Sequence, residues 1–377
     1  MASSGIRSDS GTNHRYRASR TAKHVMRSVL TSERRARVVP LTVLVPAYNE
    51  GASIEDTLLS LLTQSVAPAE IVVIDDCSTD DTAAVAERLG VTVIRPPRNT
   101  GSKAGAQTFA LSQVTTPYVM AIDADTTLAS DAIERLLPAF EDPDVVAACG
   151  SVIPRRVRSI WERGRYVEYL FAFTFYKRVQ EAYGAPLIAS GCFSMYRADA
   201  LRSMGGWRTR TLAEDMDLTW SFYEVGWKVR FIPEAVSYPL EPHNWHFLSK
   251  QLKRWSHGFV QNVRLHRREL LTVPFLRHAV AVAFWDAVVA AAAYLVVLPI
   301  LAFALGNPWL LLGYVIDLPA VAVPVLVGAA KRRELRAALY SLPAFFVLRT
   351  VNAMFFLKAT WLELVMNRSF NTYEKGH

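Results

Sequence analysis

Hydrophobic positions fall into three regimes along the chain. From Val38 to Ile232, short apolar runs rich in β-branched residues alternate with segments whose apolar residues recur every three or four positions. The runs read as buried strands and the spaced segments as helices. The predicted strands are Val38–Val45, Ile71–Ile74, Val91–Ile94, Tyr118–Ile122, Val145–Ile153, Leu187–Tyr196 and Lys228–Ile232. The helices are Ile54–Thr63 with Ser53 as N-cap, Thr79–Leu89, Gly101–Val114, Ser130–Phe140, Arg156–Ala182, Asp199–Ser203 and Ala213–Val225. This alternation predicts an α/β, Rossmann-like domain: an open, mostly parallel sheet with helices on both faces. Such sheets bind ligands beyond the carboxyl ends of their strands. Tyr48, Asp75 and Asp123 each follow a predicted strand end.

The second regime is amphipathic. Arg156–Ala182 and Trp245–Leu270 mix basic residues with aromatic ones, as helices in a membrane interface do. For the first, packing on the sheet fits equally well. The third regime is apolar. Ala279–Leu305 and Trp309–Ala330 are each long enough to span a bilayer, and Ala337–Leu357 is a weaker third span carrying Arg349 and Asn352. A turn at Gly306-Asn307-Pro308 and a basic loop at Lys331–Arg336 separate them. The positive-inside rule places that loop, and with it the N-terminal domain, in the cytoplasm, at a plasma (inner) membrane. If the third span crosses, the C-terminus lies outside. The divisions expected are a basic, disordered segment 1–37, a catalytic domain 38–244, an interface helix 245–270, a transmembrane region 271–366 and a tail 367–377. Val25–Leu30 could form a short surface helix.

Composition fits this division. Hydrophobic residues are 51% of the 377, and the mean hydropathy of +0.15 suits a soluble domain joined to a few spans. The net charge is +8, but basic residues crowd beside apolar segments, where they favour anionic headgroups; the partners are membrane lipids, not nucleic acid. Segment 1–37 has no apolar core and is not a secretory signal. Cys77, Cys149 and Cys192 suggest neither a disulfide framework nor a zinc site. His243 and His246 lack a third metal ligand at recognisable spacing.

Against this frame, several polar groups carry chemistry. Asp123-Ala124-Asp125 sets two carboxylates at a strand end, where Mg2+ or Mn2+ would find hard oxygen ligands beside substrate phosphates. Asp75-Asp76 at another strand end could accept hydrogen bonds from a nucleotide, or cap the following turn. Asn99–Ala106 is a Gly-containing turn into a helix with Lys103, suited to a diphosphate and equally to a capped helix with a surface lysine. Glu214-Asp215 is the general-base candidate, although acids in a first helical turn are also favoured by the dipole. Asp217 reads as helix surface. Gln251, Arg254 and Trp255 share one helical face, where an arginine can pair with diphosphate and an indole can stack on a sugar.

Taken in order, these residues resemble the processive inverting family 2 glycosyltransferases, which include cellulose, chitin, hyaluronan and poly-N-acetylglucosamine synthases. Val43–Glu50 is similar to the opening strand and Pro-x-Tyr-Asn-Glu turn, and Ile74–Asp81 to the Asp-Asp-x-Ser-x-Asp segment. Asn99–Ala106 resembles the Lys-Ala-Gly segment and Asp123–Asp125 the metal motif. Ala213-Glu214-Asp215 resembles Thr-Glu-Asp, with alanine for threonine, and Gln251–Trp255 resembles Gln-x-x-Arg-Trp. The resemblance implies a GT-A fold, a UDP-sugar donor (UDP-N-acetylglucosamine from the nearest-looking relatives), Mg2+ or Mn2+ on Asp123 and Asp125, inversion, and Asp215 as base supported by Glu214. It implies donor contacts from Tyr48, Glu50, Asp75, Asp76, Lys103, Asp123, Gln251, Arg254 and Trp255. Gly191, Cys192 and Trp255 would border a saccharide or lipid-linked acceptor. Two alternatives stand beside processive synthesis: transfer of one sugar to a lipid carrier or protein, and a non-catalytic nucleotide-sugar-binding scaffold. No predicted span precedes the domain, and three following spans are thin walling for a polymer channel. A homo-oligomer, a short product or an acceptor that is not secreted would each resolve this. Asp286, Asp317 and Arg349, costly inside spans, would pair across helices or line a polar path.

Overall fold

The computed structural model describes residues 37–184 and 186–370. The basic segment before Arg37, with the surface helix expected at Val25–Leu30, and residues 371–377 of the tail lie outside the described residues. In chain order the elements are β1 (Arg37–Ala47), α1 (Ile54–Leu62), β2 (Val66–Asp75), α2 (Thr82–Arg88), β3 (Thr92–Ile94), α3 (Lys103–Leu111), β4 (Tyr118–Ile122), β5 (Thr127–Leu128), α4 (Ala132–Leu136) and β6 (Val145–Val152). There follow α5 (Ile160–Phe171), α6 (Lys177–Ala182), β7 (Phe193–Arg197), α7 (Ala198–Ser203), α8 (Glu214–Glu224), β8 (Lys228–Tyr238) and α9 (Trp245–Leu265). The C-terminal part holds α10 (Glu269–Thr272), α11 (Pro274–Phe284), α12 (Leu298–Ala304), α13 (Leu318–Lys331) and α14 (Leu335–Thr360).

The eight strands form one sheet in the order β3-β2-β1-β4-β7-β6-β8-β5. β1 pairs in parallel with β2 and β4, so Ala47, Asp75 and Ile122 all end at one edge. Leu41, Val43, Leu44 and Val45 of β1 are buried, as expected of a central strand covered on both faces. The sheet is mixed, however. β7 runs antiparallel to β4 and β6, pairing Ile122 with Phe193. The reversal brings the start of β7, not its end, to the carboxyl edge, and so delivers Gly191 and Cys192 there. It also corrects the strand predicted at Leu187–Tyr196, which pairs only from Phe193. The preceding residues find side-chain partners instead: Leu187 N–H donates to Gln180, Ala189 N–H to Thr219, and the Trp220 indole donates to the Leu187 carbonyl.

Two further departures concern helices. The predicted Arg156–Ala182 helix starts only at Ile160, where Ser159 and Glu162 form a capping box. It then loosens into a π-helical turn over Ala172–Tyr176 before α6. Its basic entry is a loop, from which Arg155 reaches Asp56 at 2.9 Å and the Asp125 carbonyl. Asp217, expected on a helix surface, is buried on α8 and accepts two hydrogen bonds from Arg210, at 2.8 and 2.7 Å.

Pro274–Ala304, Pro308–Lys331 and Leu335–Val365 are long and apolar enough to cross a membrane. Tyr166, Val167 and Leu170 of α5 form one buried cluster with Val321, Val325 and Ala329 of α13 and Ala338 of α14.

Candidate active site

The carboxyl edge of the sheet opens into a cavity of about 1240 Å³. Every site residue expected from sequence lines it except Asp75. Asp75 is buried one step away, accepting from Ser78 N–H at 3.0 Å and the Arg95 guanidinium at 2.8 Å. Its neighbour Asp76 does face the cavity. Asp76 accepts from the backbone and hydroxyl of Thr100, at 2.8 and 2.9 Å, which fixes the loop leading into α3. Tyr48 is half exposed on the turn after β1. Asn49 takes a positive φ of 56° there, and its side chain accepts from Thr79 N–H at 2.8 Å. Glu50 is buried and accepts from the Ser53 hydroxyl at 2.6 Å. Ser53 therefore binds Glu50 rather than capping α1 through its side chain.

Three elements meet at the centre. Lys103 opens α3 behind the N-cap Ser102, and its ammonium pairs with Asp123 after β4 and with the Gly191 carbonyl at 2.7 Å. The Gly191 N–H donates to Asp215 Oδ2 at 2.9 Å. A Cβ on Gly191 would stand 3.1 Å from that oxygen, so only glycine allows this approach without a shift. Asp215 thus sits in the first turn of α8, tied through Gly191 to the Lys103–Asp123 pair. Burial pushes the Glu214 carboxyl upward, as does Asp215, while Lys103 and Arg254 pull it down. Burial also raises the Cys192 thiol, which stays protonated beside Asp123. Asp125 is buried and accepts from the Thr126 hydroxyl at 3.2 Å.

The Gln251–Trp255 face of α9 closes the cavity from the other side. Here the structure reveals residues that the sequence reading missed. Arg165 of α5 is fully buried; it donates to Gln251 at 3.0 Å, stacks 4.4 Å over the Trp255 ring and pairs with Glu168. Glu241, which follows β8, accepts from Tyr169 at 2.9 Å and lies 3.8 Å from Arg165. Burial raises its carboxyl to about 7. Arg165 sits in a segment whose basic and aromatic content was visible and Glu241 in none of those segments, and the contacts that link them to Gln251, to Tyr169 and to each other span 72 to 86 positions of the chain. The cavity continues between the C-terminal helices to Asp286, Tyr294 and Arg349. Arg349 donates to Asp317 at 2.6 Å, the pairing across helices that the sequence suggested.

A mixed, mostly parallel sheet with acids from β4 and α8 gathered at its carboxyl edge is the arrangement of the GT-A fold. Comparison with known proteins takes the class further: residues 42–205 match the Glycosyl transferase family 2 model. It is 32% identical over 223 residues to the poly-beta-1,6-N-acetyl-D-glucosamine synthase of Staphylococcus aureus (strain COL), covering 58% of this chain and 54% of that one. It is 30% identical over 237 residues to the Staphylococcus epidermidis synthase of the same name, covering 62% of this chain and 57% of the relative. The chain thus spans little more than half the length of these relatives. A solved mannosyltransferase from Pyrobaculum calidifontis, in complex with GDP-Man and Mn2+, shares the fold over 95% of this chain and 97% of its own, with a TM-score of 0.56 at 22% identity.

Proposed function

We propose that this chain is a membrane glycosyltransferase that passes a hexose or N-acetylhexosamine from a UDP-sugar to an acceptor hydroxyl, with inversion, and builds a polysaccharide or oligosaccharide. The observation that carries the reading is the placement of Asp215. It lies at a helix start, oriented by Gly191 N–H, in the same cavity as Lys103, Asp123 and Arg254. A carboxylate so held can take the proton of an attacking hydroxyl. Lys103 and Arg254 supply positive charge for a diphosphate, and Trp255 offers a face to a sugar ring. The names of the staphylococcal relatives support N-acetylglucosamine as the sugar transferred and a polymer as product.

A divalent cation fits this site. Asp123 and Asp125 offer hard oxygens at one strand end, and Mg2+ or Mn2+ commonly takes one or two carboxylates plus substrate phosphates. When bound, it would offset charge on the departing diphosphate. The protein's own part is to hold Asp123 with Lys103 and to orient Asp215. The basic Lys331–Arg336 loop supports a cytoplasmic catalytic domain.

A second reading, one sugar added to a lipid carrier, draws support from the cavity's extension between apolar helices. A panel of UDP-sugars, read by UDP release and product sizing with and without EDTA, separates the two. Asp215→Asn should bind UDP yet lose at least a hundredfold in turnover. Turnover at the parent's rate would overturn the assignment of the base.

A further inference from the structure

We infer that α14 does not cross the bilayer: it lies along the membrane surface with both ends on the catalytic-domain side, its outward apolar stripe set into lipid. By composition Leu335–Val365, which is α14 together with the π-helical turn Trp361–Val365 that continues it, could span. At 1.5 Å per residue, its 31 residues would reach across a hydrocarbon core of about 30 Å and leave one end on the far side. Its contacts forbid that separation.

At the start, Glu334 accepts from the Tyr166 hydroxyl of α5 at 2.7 Å, and Arg163 of α5 lies 4.2 Å from the Tyr340 ring. In the middle, α5 and α14 meet at Gly164, where a Cβ would stand 2.8 Å from the Leu348 Cβ. Asn352 donates to Glu168 of α5 at 3.1 Å, and Leu348 is buried with Leu248 and Leu252 of α9. At the far end, Phe356 packs on Phe259, and Glu363 lies 2.8 Å from His257 Nδ1 and accepts from Gln261 at 2.9 Å. α5 and α9 are bonded to each other through Arg165 and Gln251, and both wall the cavity. Start, middle and end of α14 therefore rest on the same two helices.

For α14 to cross, α5 and α9 would have to enter the bilayer with it, carrying Arg163, Arg165, Glu168, Gln251 and Arg254. Each charge among them is costly there even on the lenient insertion scale. The surface placement has no such cost. Leu339, Val347, Met354, Trp361 and Val365 are all exposed and recur at helical spacing on one side. Arg349, Asn352 and Glu363 make their bonds to the protein. Lys331, Arg332, Arg333 and Arg336 sit at one end and Lys358 near the other, positions that suit anionic headgroups.

The test uses the full chain in sealed vesicles, a membrane-impermeant maleimide and site-resolved mass spectrometry. Native Cys77 is exposed and marks the catalytic side. Met366→Cys should label only under conditions that label Cys77, before or after permeabilisation, whereas Asn307→Cys in the turn between the first two apolar helices marks the opposite side. Leu364→Cys repeats the reading should Met366→Cys fail to fold. A nitroxide at Met354→Cys should report a depth within about 5–10 Å of the headgroup boundary. Labelling of Met366→Cys or Leu364→Cys from the side opposite Cys77, or a midplane depth at Met354→Cys, would overturn the inference. None of these readings depends on turnover, so failure of the proposed activity is seen separately.

Discussion

His266 offers a measurement in which geometry, charge and pH can be worked through together. It caps the end of α9 and is 2% exposed; its Nε2 lies 2.8 Å from Asp217, and its Nδ1 contacts Glu224. Both acids are on α8, the helix that presents Asp215. Burial alone would depress the imidazolium, but hydrogen bonds and charge from Asp217 and Glu224 outweigh it and raise the group from 6.5 to about 9. A His with a raised folded value contributes stability that is complete below its unfolded value and is lost as pH climbs through the folded one. The shift of 2.5 units corresponds to roughly 3 kcal/mol, of which about 2 kcal/mol disappears between pH 7 and pH 9. His266→Gln keeps a donor but not the charge. At pH 7 it should melt about 5–10 °C below the parent in detergent, since 1 kcal/mol is worth about 2–4 °C in a domain this large. Between pH 7 and 9 the parent should fall towards the variant while the variant stays nearly level. Equal pH slopes for the two proteins, or equal melting points at pH 7, would refute the argument that a doubly bonded imidazolium clamps α8 to α9.

The other predictions concern the cavity wall. Glu241 has its folded value raised to about 7 from 4.5, so the folded state favours the proton and parent stability should fall as pH rises from 4.5 to 7, by roughly 3 kcal/mol. Glu241→Gln should flatten that window in the same melting assay, and an unchanged slope would show that Glu241 does not titrate there. Gly258→Ala would put a Cβ 2.7 Å from the Ala213 Cβ and 2.8 Å from its nitrogen, against the residue just before Glu214. It should cost about 1–3 kcal/mol in stability and lower UDP release by more than the melt alone explains; unimpaired release would separate this contact from catalysis.

Much of the candidate site's placement was legible because its acids fall at strand ends, and a strand end in an open α/β sheet has a predictable place. Asp123, Asp125 and Asp76 needed only that rule. Asp215 needed more. Nothing local marks Ala213–Asp215 as more than a helix start, and Ala213 provides no side-chain cap. What selects Asp215 is Gly191, delivered by a strand that runs against its neighbours. β7 is five residues long, and its reversed pairing is a long-range choice that apolar runs do not encode. Asp217 was misread for the same reason: an acid in a first turn looks solvent-facing until Arg210 and His266 are placed on it. For the third apolar helix, hydropathy gives a candidate span, and the proposal that it lies on the surface rests on which neighbours hold its ends, which composition does not record.

α9 connects these observations. Its first half carries Gln251, Arg254 and Trp255 into the cavity. Further along, it holds the loop before Asp215: Gln261 accepts from Leu212 N–H at 3.0 Å, and Asn262 donates to the Ala213 carbonyl at 3.1 Å. It also receives α14 and the turn that continues it, through Leu252, Phe259 and His257. Gln261 takes part in two of these contacts at once, since its amide also donates to Glu363 and to the Phe370 carbonyl, at 2.9 and 2.8 Å. A shift of α14 relative to the domain must therefore be absorbed at Gln261, one hydrogen bond from the backbone that sets Asp215. In such an arrangement the segment lying on the membrane and the residue proposed as base cannot move independently. The basic ends of α14 thus bear on the geometry of the proposed sugar-transfer site as well as on attachment to lipid.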